Sequence, residues 1–371
     1  MRVAVCGITP ASVHFRTYVD FLAAQGHEVT VLTNAWEFPG IEAGRVRVVN
    51  FARHTRLIKL VPKGLRLVPR VARLARALRG DDFDVLNVMQ VTPDGVYAGL
   101  LWKGPLVLDF WGSDIMRLEI RPWWVRRLMP RVIRRADEIH SVSNEMTERL
   151  ESMGADRGRI ETFQYGIDLA QFSFAALPHR RGRIIHTRGL RTFYRPEIVI
   201  RALPHVLSKR PDATLALTGV GDERARLESL ADSLGVSDKV ESLGYISEDR
   251  LAEELRAATL WVSIPPTDGT PLSLLEAMAS GALPVVSDLP TVRDWVGRAT
   301  GVLVGEVSPE GVAKGILDGF ALAERGGYAE SNRRLIEERG DRAVNLPRWE
   351  RMLERAAAKY ASATKSQTAE R

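Results

Sequence analysis

Short apolar runs bounded by turn residues alternate along this chain with longer segments whose apolar residues recur three and four positions apart. MRVAVCGI is such a run, residues 12–25 carry Phe15, Val19 and Leu22 at helical spacing, and GHEVTVLT is the next run. The first pattern predicts a buried strand and the second an amphipathic helix, so the chain opens as strand, helix, strand, the mark of a parallel sheet. VRVVNF, FDVLNVMQ, GPLVLDFWGSD and ADEIHSVS add further strands, and Ser143 with Asn144 is placed to cap a helix through Leu150. At RIIHTRG the series starts again. Helices PEIVIRALPHVL, ERARLESLADSLG and SEDRLAEELRAA then alternate with strands ATLALTGVG, VESLGYI and LWVSIP, followed by LPVVS and GVLVG. A helix over 312–324, a closing helix over 346–361 and a polar tail, 362–371, expected to be disordered, complete the chain. Two α/β domains are predicted, residues 1–172 with the closing helix and residues 180–340, joined over 172–181.

The length of 371 residues agrees with two hydrophobic cores. Apolar residues at 45% and charged residues at 26% are ordinary for a globular protein, and no window is apolar for the length of a membrane span. The formal charge of +6 changes the picture only because it is localised. Every charged residue over 53–79 is basic, and RPWWVRRLMPRVIRR spans 121–135. In the helix predicted from about Pro69, Val71, Leu74, Ala75 and Leu78 share a face that Arg70, Arg73 and Arg76 avoid, while Trp123 and Trp124 adjoin Arg126 and Arg127. Such surfaces suit an anionic membrane or simply solvent. The lone Cys6, in a predicted strand, excludes an internal disulfide, and with no signal peptide at the N-terminus a cytoplasmic location is expected.

Candidate chemistry concentrates in residues 264–290, IPPTDGTPLSLLEAMASGALPVVSDLP. Asp268 lies on a turn after one strand and Glu276 within the following helix. A loop at the carboxyl edge of a parallel sheet, leading into a helix N-terminus, favours phosphate. Thr270 and Pro271 suit the first helical positions, so the amides of Thr270, Leu272 and Ser273 are candidates to hold a diphosphate, with the two acids taking hydroxyls on either side. The loop from Gly7 through Ser12 to His14, and the group Trp111, Gly112, Ser113 and Asp114, fall at carboxyl ends of strands in the first half. Gly7 to His14 is no GxGxxG fingerprint, which disfavours a dinucleotide there. Asp82-Phe83-Asp84 imitates a metal-binding DxD but precedes its strand, on the wrong edge; His140 reads as a core histidine. No zinc spacing and no GxSxG elbow occurs.

With DGTPLSLLEAMASG, GYIS, TGVGDERARLESLA, HTRGLRTFYRPEIVIRAL, YGIDLAQF and GHEVTVLT in this order, the chain resembles the retaining glycosyltransferases of family 4 (glycosyl transferases group 1) over nearly its whole length. The resemblance implies the GT-B fold, two Rossmann-like parallel-sheet domains facing each other across a cleft. It also implies a hexosyltransferase that moves sugar from a nucleotide diphosphate sugar, a UDP-sugar being the expected donor, with no further cofactor and no metal.

Carried over by position, Asp268 faces the donor sugar, Glu276 holds the ribose, and Arg188, with Arg195 nearest the second basic position, neutralises the diphosphate. Gly219, Gly221, Tyr245, Ile246, Gly269, Thr270, Pro271 and Leu272 complete the donor side. Gly7, Ser12, His14 and Trp111 belong to the acceptor side, in the first domain. The chain departs from the family twice. Asp268 stands where members carry glutamate, shortening the reach by about 1.5 Å, and Trp111 stands where many carry histidine, which leaves Asp114 as a candidate for part of that role. The acceptor is left open; the basic segments 53–79 and 121–135 make a lipid-linked or membrane-proximal one a candidate, through peripheral contact with the inner face of a membrane. A nucleotide-sugar epimerase, a phosphorylase, or a non-catalytic sugar-nucleotide-binding protein are the alternatives, and nothing supports nucleic acid as a partner.

Overall fold

The computed structural model describes residues 1–7, 13–34, 44–51, 67–174 and 182–369, with backbone alone for residues 13, 14 and 362–369. The chain divides into two compact units, Met1–Phe163 with Val344–Arg371, and Gln164–Ala343. In the first unit the strands are β1 (Arg2–Cys6), β2 (Glu28–Thr33), β3 (Val46–Asn50), β4 (Val85–Met89), β5 (Leu106–Phe110), β6 (Glu138–Ser141) and β7 (Ile160–Thr162). They form one seven-stranded parallel sheet in the order β3-β2-β1-β4-β5-β6-β7. The helices of this unit are α1 (Val13–Ala24), α2 (Leu67–Arg79), α3 (Pro93–Leu101), α4 (Trp123–Arg135) and α5 (Asn144–Ser152).

The second unit holds β8 (Arg183–His186), β9 (Thr214–Thr218), β10 (Val240–Gly244), β11 (Leu260–Ser263), β12 (Leu283–Ser287) and β13 (Val302–Val304), paired in parallel in the order β10-β9-β8-β11-β12-β13. Between and after them run α6 (Pro196–Leu207), α7 (Arg224–Ser233), α8 (Glu248–Ala257), α9 (Leu272–Ala279), the single-turn α10 (Pro290–Arg293), α11 (Pro309–Arg325) and α12 (Tyr328–Arg339). The final helix, α13 (Arg342–Ala369), starts in this unit and buries Leu346, Trp349, Met352, Leu353 and Ala356 in the first.

Both sheets are covered on both faces, which is why β4, β5 and β12 are mainly apolar and buried at every position; the polar Asn87 of β4 and Asp109 of β5 are buried as a hydrogen-bonded pair. In each sheet the strand order reverses beside the first strand, between β1 and β4 and between β8 and β11. Ligands in open α/β sheets lie at the carboxyl ends of the strands near such points.

Three expectations change. The first unit ends at Phe163 rather than at residue 172, because Ile167 and Phe172 pack into the core around α9 and Ile167 pairs with Asp341. The 172–181 junction lies mostly outside the described residues. The tail is helical to Ala369, not irregular; its Ala, Lys and Gln residues favour helix and continue α13. Arg70 does not point into water: its guanidinium pairs with the buried Asp94, so part of the basic character of α2 is spent inside the unit. Residues 53–66 of that basic segment lie outside the described residues.

Candidate functional site

The carboxyl edge of the second sheet is knitted from loops that approach backbone to backbone. A Cβ added at Gly221 would lie 1.9 Å from the carbonyl oxygen of Leu190, so only glycine lets the loop after β9 settle on the loop after β8. Leu190 donates its N–H to the carbonyl of Val220, and Gly219 donates to that of Gly244, at the end of β10. Tyr245, just beyond, is 77% exposed and Ile246 half-buried.

Arg188 sits on this edge and is held three ways. Its guanidinium donates to the Asp268 carboxylate at 2.8 Å and to the Ser273 hydroxyl at 2.9 Å, and it lies over the Tyr194 ring at 4.4 Å from the centroid. Arg195, half-buried, takes a left-handed backbone (φ 53°) just before α6 and has no side-chain partner among the described residues.

Asp268 is fixed by its neighbours as well as by Arg188. The Thr291 hydroxyl donates to the Asp268 carbonyl at 3.0 Å, the Thr270 hydroxyl donates back to the Thr291 carbonyl at 3.2 Å, and Gln164 donates to the Thr270 carbonyl. Burial pushes the Asp268 carboxyl above its ordinary range, against the pull of Arg188 and the Gly269 amide. Thr270 and Pro271 precede α9 instead of opening it: Pro271 is its extended N-cap, and the Thr270 bonds, with the ring of Pro271 disfavouring helix at the residue before it, keep Thr270 out of the helix. The free amides therefore begin at Leu272 and Ser273, beside the Arg188 contact.

Glu276, one turn along α9, has no hydrogen-bond or ion-pair partner among the described residues. Its carboxyl is pushed up to about 7 by burial, with Glu248 adding, while Arg342 and Arg188 oppose. The geometry leaves this acid ready to accept hydroxyl donors.

One residue of this edge escaped the sequence reading. His186, the last residue of β8, is fully buried and donates Nδ1–H to the Val262 carbonyl at 3.0 Å. Its Nε2 has no hydrogen-bond partner among the described residues, and burial, with Arg188 adding, moves the imidazole pKa down to about 4, so Nε2 is a neutral acceptor. It stands inside the quoted HTRG, but a histidine in an apolar strand carries no local mark of such a position.

The first unit's carboxyl edge is built differently. Asp114 is fully buried and accepts N–H bonds from Val91 (3.1 Å), Trp111 (3.2 Å), Gly112 (3.0 Å) and Ile115 (3.1 Å). A carboxylate spent on four backbone donors and closed to solvent cannot do a reacting group's work, so the candidate catalytic role for Asp114 is corrected to one of holding two loops together. Trp111 is half-buried and meets the Tyr18 ring edge-on at 5.4 Å. Gly7 lies against β4, where a Cβ would come 1.8 Å from the Met89 carbonyl oxygen. Ser12 lies outside the described residues, as does the His14 side chain.

Asp82 and Asp84 flank the amino end of β4, where Asp84 accepts the Arg2 N–H at 2.7 Å, away from the ligand edge. His140 is a buried core residue, its Nε2 2.8 Å from the Phe163 carbonyl and its Nδ1 3.5 Å from the Asp109 carboxylate. Among the described residues no group of three or more metal-binding side chains occurs.

Two family models match adjoining stretches of the chain: Glycosyltransferase Family 4 over residues 11–171 and Glycosyl transferases group 1 over residues 171–338. The chain belongs to these glycosyltransferases. A phosphatidyl-myo-inositol mannosyltransferase of Mycolicibacterium smegmatis is 26% identical over 85% of this chain and 82% of its own. An N-acetyl-alpha-D-glucosaminyl L-malate synthase of Bacillus anthracis is 25% identical over 70% of this chain and 71% of its own. An uncharacterised glycosyltransferase of Methanocaldococcus jannaschii is 32% identical, over only 36% of this chain and 33% of its own. Among solved structures, Anabaena HepE in complex with UDP superposes with a TM-score of 0.77 at 16% identity, covering 95% of this chain and all of HepE. The GT-B fold expected from the sequence is thereby shown.

In this glycosyltransferase the two acids of the DGTPLSLLE stretch have different surroundings. Asp268 is locked to Arg188, whereas Glu276 has no hydrogen-bond or ion-pair partner among the described residues. The Arg188–Asp268 and Arg188–Ser273 contacts, 80 and 85 residues apart in sequence, could be anticipated only through the family resemblance.

Proposed function

We propose that this glycosyltransferase moves a hexose-type sugar from a UDP-sugar to a hydroxyl-bearing acceptor with retention of configuration and without a metal. The observation that carries the reading is Arg188, a nearly buried cation pinned beside Asp268, the N-terminal amides of α9 and the open carboxylate of Glu276. Departure of the nucleotide diphosphate places negative charge on phosphate oxygens, and Arg188, the Leu272 and Ser273 amides and the free guanidinium of Arg195 supply fixed positive charge at that place. Glu276 accepts the ribose hydroxyls, and the exposed ring of Tyr245 offers a face for the base. Asp268 contacts the transferred sugar. UDP is the preferred nucleotide because HepE crystallised with UDP and with UDP-glucose. Retention rests on the family resemblance.

A thermal-shift series with UDP, GDP and ADP tests the donor side: UDP at 100 times its Kd should stabilise the fold by about 2.7 kcal/mol, and no shift with any of the three removes the reading. Peripheral membrane contact is part of the proposal. Trp123 is 70% exposed on α4 beside the exposed Arg126 and Arg127, while Trp124 is occupied in a stack on Tyr97. No described helix is long and apolar enough to cross a membrane. Binding to anionic vesicles should weaken with salt and in an Arg126→Ala/Arg127→Ala variant; indifference to both argues against a docking face.

A second reading, a non-catalytic sugar-nucleotide-binding protein, is favoured by Asp268 being committed to Arg188. A wild type that binds UDP yet hydrolyses and transfers no sugar from UDP-glucose would favour it.

A further inference from the structure

Two non-glycine residues among those described have a left-handed backbone, Arg195 and Gln90, both at φ 53°. Each occupies the carboxyl edge of its unit's sheet. Arg195 falls in the donor-side loop, whereas Gln90, immediately after the central strand β4, has no role assigned above. A side chain with a Cβ is disfavoured in this conformation, and where it persists the surroundings must hold it. Here they do. The Gln90 N–H is tied to the Asp109 carbonyl at 2.9 Å, Gly7 packs against Met89 and the Gln90 carbonyl, and Asp114 binds the amides of Val91 on one side and of Trp111, Gly112 and Ile115 on the other. Glycine or asparagine would sit at Gln90 with less strain. What glutamine adds is a carboxamide carried to the edge.

That carboxamide is oriented. Its Nε2 donates to the hydroxyl oxygen of the exposed Ser113 at 3.3 Å, which leaves the Gln90 Oε1 as an acceptor, and the Ser113 hydroxyl hydrogen as a donor, with no partner among the described residues. The Ser113 carbonyl is held in turn by Arg121 at 3.1 Å. An acceptor and a donor side by side, both uncharged, complement two adjacent hydroxyls. We propose that Gln90 and Ser113 form a vicinal-diol recognition pair that positions the sugar acceptor, a polyol or sugar ring, on the first unit, with the buried Asp114 as the residue that holds the pair in place. The proposal rests on the glycosyltransferase reading for its purpose but on the first unit alone for its geometry.

Saturation-transfer NMR and titration of the full chain with myo-inositol, an uncharged ring of vicinal hydroxyls, test it, with cyclohexanol as the single-hydroxyl control. Wild type should bind myo-inositol and not cyclohexanol. Gln90→Gly should lose at least ten-fold in myo-inositol affinity while its melting temperature stays level or rises, a combination that a purely structural residue would not give. Ser113→Ala should lose several-fold, and Gln90→Asn should fall between wild type and Gln90→Gly. UDP affinity should be the same in all four proteins. Unchanged myo-inositol binding in Gln90→Gly, or equal binding of myo-inositol and cyclohexanol by wild type, overturns the proposal, as does the absence of myo-inositol binding. If UDP binds and myo-inositol does not, the diol pair fails and the donor reading stands; if myo-inositol binds as described and UDP does not, the donor reading fails and the pair stands.

Discussion

The two sheets share a plan and handle charge in opposite ways. At the carboxyl edge of the second unit, Arg188, Asp268, Glu276 and Arg195 are kept in the site, some partnered and some open. In the first unit the acid of the corresponding region, Asp114, is withdrawn into the backbone, and neutral groups, Gln90, Ser113 and Trp111, occupy the edge. The difference is the one that phosphate and hydroxyl ligands demand. An anion is gripped by fixed cations, whereas a neutral hydroxyl is placed by matched donors and acceptors and gains nothing from an unpaired buried charge.

The largest effect that would break this contrast is at Arg188. Arg188→Ala should lower sugar transfer or hydrolysis of UDP-glucose by about 100- to 1,000-fold, the usual cost of removing one charge-stabilising donor. Arg188→Lys should recover little of it, because a point charge cannot reach Asp268, Ser273 and a phosphate together. Normal turnover in Arg188→Ala would place the reacting diphosphate elsewhere.

In the first unit the expected loss is of stability. Asp114→Asn replaces one acceptor oxygen with an N–H₂ group that faces backbone donors, which should cost about 2–3 kcal/mol in denaturant unfolding and leave UDP affinity unchanged. A fully stable Asp114→Asn with depressed turnover would return Asp114 to the list of reacting groups.

The Arg188–Asp268 pair sharpens the comparison. Asp268 holds the cation proposed to meet the diphosphate, so Asp268→Ala should bind UDP several-fold more tightly while losing sugar transfer, as judged by calorimetry beside an activity assay. Weaker UDP binding would mean that Asp268 orients Arg188 and does not compete for it.

The smallest effect is a pH dependence. A carboxyl raised to about 7 in the folded state, above its unfolded value, opposes folding once ionised. Its contribution is therefore absent below about pH 4.5, grows as a penalty as pH rises from there to about 7, and levels off above that. Glu276→Gln should accordingly raise the melting temperature of the nucleotide-free protein at pH 8 and not at pH 5. Because the ionised form is the better hydroxyl acceptor, UDP affinity should increase from pH 6 to pH 8 in wild type and stay flat in Glu276→Gln. A pH-independent difference between the two proteins would remove Glu276 as the titrating group.

Much of this was legible in the amino-acid order, since strand and helix periodicities are local. The strands β1 to β6 and β8 to β13, and the helices α6 to α9, follow directly from runs and spacings in the sequence. The short edge strand β7 does not: Ile160, Glu161 and Thr162 carry too little pattern, and Glu161 is fixed by Arg348 and Arg355 of α13. The same holds for the site. Asp268 and Glu276 could be marked because their turn and helix are written nearby, but the Thr291 and Gln164 bonds that fix the Asp268 loop join residues 23 and 106 positions apart.

The sequence by itself determined two parallel α/β units, the turn before α9 and the positions of the two acids on that turn and helix, because propensity, periodicity and turn chemistry act within a few residues. Only the tertiary structure decided that Asp114 is buried scaffolding, that Arg70 turns inward to Asp94, that Arg188 is bound to Asp268, and that Gln90 is held in a left-handed conformation beside Ser113. Each of these depends on which distant backbone group or side chain arrives as a partner. A polar residue's burial, charge partner and strain are properties of that arrival.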